Sequence, residues 1–233
     1  MNALAGGGTF ATLPALIALR LPTNVANATS NVALLPGAAT SAFEFRKELE
    51  PIGGLSVRLL AIITFMGGLC GSVLLVLTPS RAFDFIIPWL LLVGLIVMLF
   101  GKSASDWLHD RVTIGVATLA AVQAMLGIYG GYFGGGVGLM ATAAYGLLAG
   151  IHPRAMFSIR TFMLAVANLA AAIVFIAVGL VRWWACLPML TGAVVGGLLG
   201  ARLGKRLPHG LVRAWTLLVT AATTAVFFVR AYG

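Results

Sequence analysis

Several stretches of this chain run the depth of a lipid bilayer without a charged side chain. Residues 59–77 give 19, residues 161–181 give 21 and residues 183–201 give 19, against the roughly 20 that a membrane-crossing helix needs. Inside hydrocarbon each backbone N–H and C=O must be paired by the segment itself or by a closed barrel. Barrel strands alternate apolar with polar residues over short runs, whereas these runs are continuous, so helices are the expected solution. Composition agrees: 61% of the 233 residues are hydrophobic, 9% are charged and mean hydropathy is +1.05, where a soluble domain carries about 25% charged residues. The expected fold class is all-α, a polytopic helical membrane protein.

The chain also repeats itself at an offset near 129 residues. Gly6-Gly7-Gly8 recurs as Gly134-Gly135-Gly136, GGLCG at 67–71 recurs as GGLLG at 196–200, and Pro79 recurs as Pro208. Each half reads as a glycine-broken segment followed by three spans: 2–18, 26–43, 57–78 and 85–100, then 112–149, 161–181, 183–203 and 212–231. Residues 1–100 form the first repeat and 112–233 the second, joined by the charged loop GKSASDWLHDR at 101–111.

Lysines and arginines set the orientation, because cytoplasmic loops collect them. If the halves are inverted, 11 basic residues share one face: Arg46, Lys47, Arg58, Lys102, Arg111, Arg154, Arg160, Arg202, Lys205, Arg206 and Arg213. Four lie opposite: Arg20, Arg81, Arg182 and Arg230. Counting each broken segment as a single crossing destroys this bias, so inverted repeats are expected, with basic loops 44–58, 101–111, 150–160 and 202–213 cytoplasmic and the C-terminus periplasmic. Residues 112–149 must then enter and leave by one face, and the glycine-rich run GIYGGYFGGGVG at 127–138 is where that hairpin is expected to turn, since each glycine costs a helix about 1 kcal/mol relative to alanine. The net charge of +9 is explained by this topology and implies no nucleic-acid partner.

A short apolar helix follows each glycine triplet, TFATLPALIAL after Gly8 and VGLMATAAYGLL after Gly136. A helix start presents unpaired N–H groups and about half a positive charge, which suits an anion. All six acidic residues, Glu44, Glu48, Glu50, Asp84, Asp106 and Asp110, fall in loops or at span ends, so no mid-membrane carboxylate invites a cation. The candidate substrate-binding residues are Gly6, Gly7, Gly8 and Thr9, with Gly134, Gly135 and Gly136. Asn27, Thr29 and Asn31 join them from the polar run NVANATSN, and Asn168 and Arg160 from the second half. The blander readings are close helix packing for the glycines, interhelical hydrogen bonds of about 0.6 kcal/mol for the amides, and a snorkelling anchor for Arg160. Packing is the expected role of Gly67, Gly71, Gly196, Gly200 and Gly204.

Enzymatic chemistry finds no foothold. There is no HExxH, no paired aspartate in a span, and Cys70 and Cys186 lack activating neighbours or a metal-ligand spacing. His109, His152 and His209 fall at span ends, and the five tryptophans read as interfacial anchors. No cofactor or metal is expected. The expected partners are a small anionic substrate and the lipid bilayer, with a homodimer left open.

The segments NALAGGGTFATLPALIAL, LPTNVANATSNVALLPG, GIYGGYFGGGVGLM and TGAVVGGLLGARLGKRLP together resemble the sulfite exporter TauE/SafE family of permeases. The resemblance covers nearly the whole chain and implies movement of sulfite, an organosulfonate or another sulfur oxyanion across a bacterial inner membrane. It also implies an opening helix upstream of the first glycine motif, of which roughly 20 residues are expected from the other half. The alternatives are a channel-like anion facilitator and a non-transporting scaffold subunit.

Overall fold

A computed structural model describes residues 8–109, 115–146, 153–204 and 209–233, and among them nearly every residue is helical. The helices are α1 (Thr9–Ala18), α2 (Thr23–Glu44), α3 (Val57–Leu77), α4 (Ser80–His109), α5 (Val116–Tyr132), α6 (Val137–Gly146), α7 (Pro153–Ala177), α8 (Trp183–Gly204) and α9 (His209–Tyr232). A short 3-10 turn at Arg46–Glu48 and a tight turn at 52–55 link α2 to α3. In that turn Gly53 and Gly54 both have positive φ, 55° and 84°, the pair of left-handed positions that a two-residue reversal needs. Three described helices are long and apolar enough to cross a membrane: 57–77, 80–101 and 155–177. Their outward faces carry Ile62, Met66, Trp89, Val93, Leu169 and Ile173, all exposed, as lipid-facing surfaces require.

Helices α2 and α7 form the centre and run antiparallel. Asn31 meets Asn168 near their midpoints, and Phe45, just past the end of α2, stacks edge-on against Phe157 near the start of α7 at 5.0 Å. Helices α4 and α9 are antiparallel too, since Phe85 meets Tyr232 and Trp89 meets Phe228. Helices α3 and α5 run in the same direction in backbone contact. A Cβ on Gly67 would lie 2.8 Å from the Ala124 carbonyl oxygen, one on Gly127 would lie 2.8 Å from that of Thr64, and Gly71 and Gly131 press on the carbonyls of Ile128 and Gly68. Packing is therefore what Gly67 and Gly71 do. Gly196, Gly200 and Gly204 lie on α8, and their contacts fall outside the described residues.

Several boundaries differ from those expected. Residues 101–109 continue α4 instead of forming a loop, because no glycine or proline interrupts them after Gly101 and a charged helix can extend past the bilayer. Residues 153–160, also expected in a loop, open α7 behind Pro153, a residue suited to the first helical turn. Helix α5 persists through Gly127, Gly130 and Gly131 to Tyr132. The chain turns at 133–136, inside the run 127–138 where the turn was expected, and contact with α3 offsets the helical penalty of the glycines before it. The hairpin itself is present: Tyr145 Oη donates to Gln123 Oε1 at 2.6 Å, so α6 returns along α5.

Proline placement explains one contact between sequence-distant helices. Pro14 has no N–H to give the Phe10 carbonyl four residues earlier, and the Thr223 hydroxyl of α9 donates to that freed oxygen at 3.4 Å.

Candidate functional site

The two short helices are linked at their starts by one aromatic ring. Gly8 caps α1, and its carbonyl accepts the N–H groups of Ala11 and Thr12. Gly136 does the same for Leu139 and Met140 at the head of α6. The N–H groups of Thr9, Phe10, Val137 and Gly138 precede those first bonds, so they have no partner within their helices. A Cβ on Gly136 would sit 3.3 Å from Phe10 Cζ, so the tip of the Phe10 ring reaches from the first turn of α1 to the start of α6. Each helix has 10 residues, long enough to present about half a positive charge at that end.

The turn between α5 and α6 depends on glycine. Gly134 and Gly136 have φ of +77° and +81°, conformations that cost an L-residue about 1–2 kcal/mol. Gly135 is constrained differently, because a Cβ there would lie 2.7 Å from the Phe133 ring. The triplets are not equivalent, since Gly8 is right-handed helical with φ −57°. Gly6 and Gly7 lie outside the described residues.

Buried amides from α2 and α7 surround this turn. Asn27 Nδ2 donates to the Tyr132 carbonyl at 3.0 Å, and Asn31 Nδ2 donates to Asn168 Oδ1 at 3.3 Å. A Cβ on Gly134 would lie 3.2 Å from Asn31 Nδ2 and 3.8 Å from Asn168 Oδ1. The Oδ1 atoms of Asn27 and Asn31 are buried and accept no hydrogen bond among the described residues. The structure thus brings Asn27, Asn31 and Asn168 together around the turn of Gly134, Gly135 and Gly136, while Gly8 and Thr9 open α1, which reaches that turn through the Phe10 ring.

Two expected members stand apart. The Thr29 hydroxyl accepts from the Arg182 backbone N–H at 3.1 Å, so it caps the start of α8. Arg160 donates to Thr142 Oγ1 at 2.7 Å and lies over the Phe157 ring at 4.7 Å. It is eight residues from Asn168 on α7, about 12 Å along the axis.

Sequence reasoning missed Thr12 and the Tyr132 carbonyl and, outside the site, Gln123. Thr12 Oγ1 donates back to the Gly8 carbonyl and pairs with Ser30 Oγ at 2.5 Å. A threonine four residues after a helix-capping glycine is the signal that could have found it. The Tyr132 carbonyl carried no sequence signal. Gln123, a lone amide in an apolar helix, did: its Nε2 donates to Thr64 Oγ1 at 2.6 Å while its Oε1 accepts from Tyr145. This second network is closed on itself and fastens the hairpin to α3.

The described acidic residues remain at helix ends and links, Glu44 closing α2, Glu48 in the 3-10 turn and Asp84 in the first turns of α4. The geometry offers backbone N–H donors, helix starts, amide groups and, among the described residues, no carboxylate. Such groups suit a negative charge better than a positive one.

The sulfite exporter TauE/SafE family model matches residues 1–227. A probable membrane transporter protein of Haemophilus influenzae is 27% identical over 227 residues, covering 97% of this chain and 88% of that protein. The probable membrane transporter protein YfcA of Escherichia coli strain K12 is 26% identical over 235 residues, covering 100% of this chain and 86% of its own length. The probable membrane transporter protein ORF9 of a Sinorhizobium species is 26% identical over 226 residues, with 95% and 85% covered. No solved structure matches the chain. Matched almost end to end by that model and paired along its length with proteins named as membrane transporters, the chain belongs to the sulfite exporter TauE/SafE family.

Proposed function

We propose that this protein is a permease that carries a small sulfur oxyanion, sulfite or an organosulfonate, across a bacterial inner membrane by alternating access. The observation that carries this reading is the start of α6 and its glycine turn set among the buried amides of Asn27, Asn31 and Asn168, with the Phe10 ring of α1 against it. Unpaired N–H groups and two helix fields in an apolar surrounding favour a negative solute over a neutral or positive one. The names of the family and of the relatives support transport, and the sulfur oxyanion extends the family's name to this chain.

Two inverted repeats rocking about this site would supply alternating access. The antiparallel course of α2 against α7 and of α4 against α9 supports inversion, because these are the pairs that correspond in the two halves. Arg81 and Arg230, both assigned to the face poor in basic residues, line one groove, which supports a common periplasmic side for them. The test is uptake of labelled sulfite into proteoliposomes. Influx above protein-free vesicles supports the reading, and equal rates for sulfite, sulfate and an organosulfonate with and without protein would refute it.

A further inference from the structure

The donors and acceptors at the site do not all suit a bare anion. The Tyr132 carbonyl can only accept, so it holds the Asn27 amide with its nitrogen toward the carbonyl and its oxygen free. Asn31, one helical turn further along α2, donates its nitrogen to Asn168 and likewise leaves its oxygen free. Both residues are almost wholly buried, at 1% and 4% exposure. Buried oxygens that accept nothing cost free energy until a donor arrives. A sulfite dianion has only acceptor oxygens and would add repulsion at these two points. An anion that also bears a hydrogen can offer that hydrogen to an amide oxygen of α2 and its anionic oxygens to the N–H groups at the start of α6.

Resting on the oxyanion reading above, we infer that the bound species is a singly charged oxyanion carrying its own O–H or N–H donor, as in hydrogen sulfite. The donor is directed to Asn27 Oδ1 or Asn31 Oδ1, and the anionic oxygens to the N–H groups at the start of α6. The described residues place no histidine or carboxylate beside these amides, so a proton crossing with the substrate would ride on the substrate. This makes transport of sulfite dependent on its protonated form, with no titrating side chain at the site.

An isosteric pair tests the inference. Sulfamate and methanesulfonate have the same charge and nearly the same shape, but only sulfamate carries N–H donors. Affinities are measured on the purified full chain by ligand-dependent thermal stabilisation, with and without sodium. Sulfamate is expected to bind at least about tenfold tighter than methanesulfonate, the scale on which one unmade buried hydrogen bond appears in affinity. Asn27→Leu and Asn31→Leu should each shrink that preference, and the wild-type comparison stands even if a variant misfolds. Equal affinity for the two anions overturns the inference, as expected if a structural water satisfies the amide oxygens, while leaving the oxyanion reading intact. Methanesulfonate binding restored to the sulfamate level by sodium overturns it in favour of a cation at the same oxygens. Stabilisation by neither anion, nor by sulfite across the pH range, overturns both readings.

Discussion

The amide of Asn31 on α2 donates to the amide oxygen of Asn168 on α7 at 3.3 Å, joining the two halves of the chain at a point 137 residues apart in sequence. Interhelical amide bonds in bilayers contribute about 0.6 kcal/mol each, too little to explain burying three asparagines for stability alone. Replacing Asn168 by leucine is therefore expected to lower the melting temperature slightly. Transport of sulfite should fall by about 10- to 100-fold, the equivalent of one hydrogen bond to a charged group. Proteoliposome uptake normalised to folded protein checks this, and a near-normal rate would reduce the pair to a helix fastener.

Gly134 and Gly136 should be the intolerant members of their triplet. Their positive φ values make Gly134→Ala and Gly136→Ala each cost about 1–2 kcal/mol, and both should impair uptake. Gly135→Ala carries no such backbone penalty and meets the edge of the buried Phe133 ring, so it should stay closer to wild type. Melting temperatures and uptake for the three variants test this order.

Gly71 and Gly131 should matter for assembly instead of binding. Each presses against a backbone carbonyl that has no side chain to move, in Ile128 and Gly68. Gly71→Val and Gly131→Val should separate α3 from α5, at an overpacking cost of about 1–3 kcal/mol or more. Folded yield by size-exclusion chromatography reads the effect, and wild-type yield with wild-type melting would contradict the packing.

Gln123→Leu should separate stability from transport. It leaves Tyr145 Oη without its buried acceptor, costing about 1–3 kcal/mol. Uptake per folded molecule should remain near wild type, because Gln123 touches none of the amides at the candidate site. A lost uptake with unchanged melting would instead place Gln123 in the transport path.

Much of this arrangement is legible in the sequence because the bilayer restricts the choices so severely. Uninterrupted apolar runs name the helices, and the repeated glycine triplets and NVANATSN point to Gly8, Gly134, Asn27 and Asn31. What sequence does not disclose is where a helix stops when tertiary contact offsets local preference. GIYGG at 127–131 looks like a turn and is a helix, because α3 offers its own glycines to it. Residues 101–109 look like a loop and extend α4, since charge alone marks where a bilayer ends and not where a helix does. Thr29 lies in the polar run yet faces the start of α8, a matter of helical phase against neighbours that spacing does not supply. The Tyr132 carbonyl is invisible for a simpler reason, because each residue has one.

The proposed oxyanion site is tested most directly by locating a bound oxyanion. Selenite resembles sulfite in shape and charge, and its selenium scatters anomalously, so crystals of the full chain soaked in selenite can report the position in a difference map. A peak between the first turns of α1 and α6, within hydrogen-bond reach of the Val137 or Gly138 N–H and beside Asn31, is the predicted result. A peak confined to the groove of Arg81 and Arg230, or none at concentrations that saturate uptake, would contradict it.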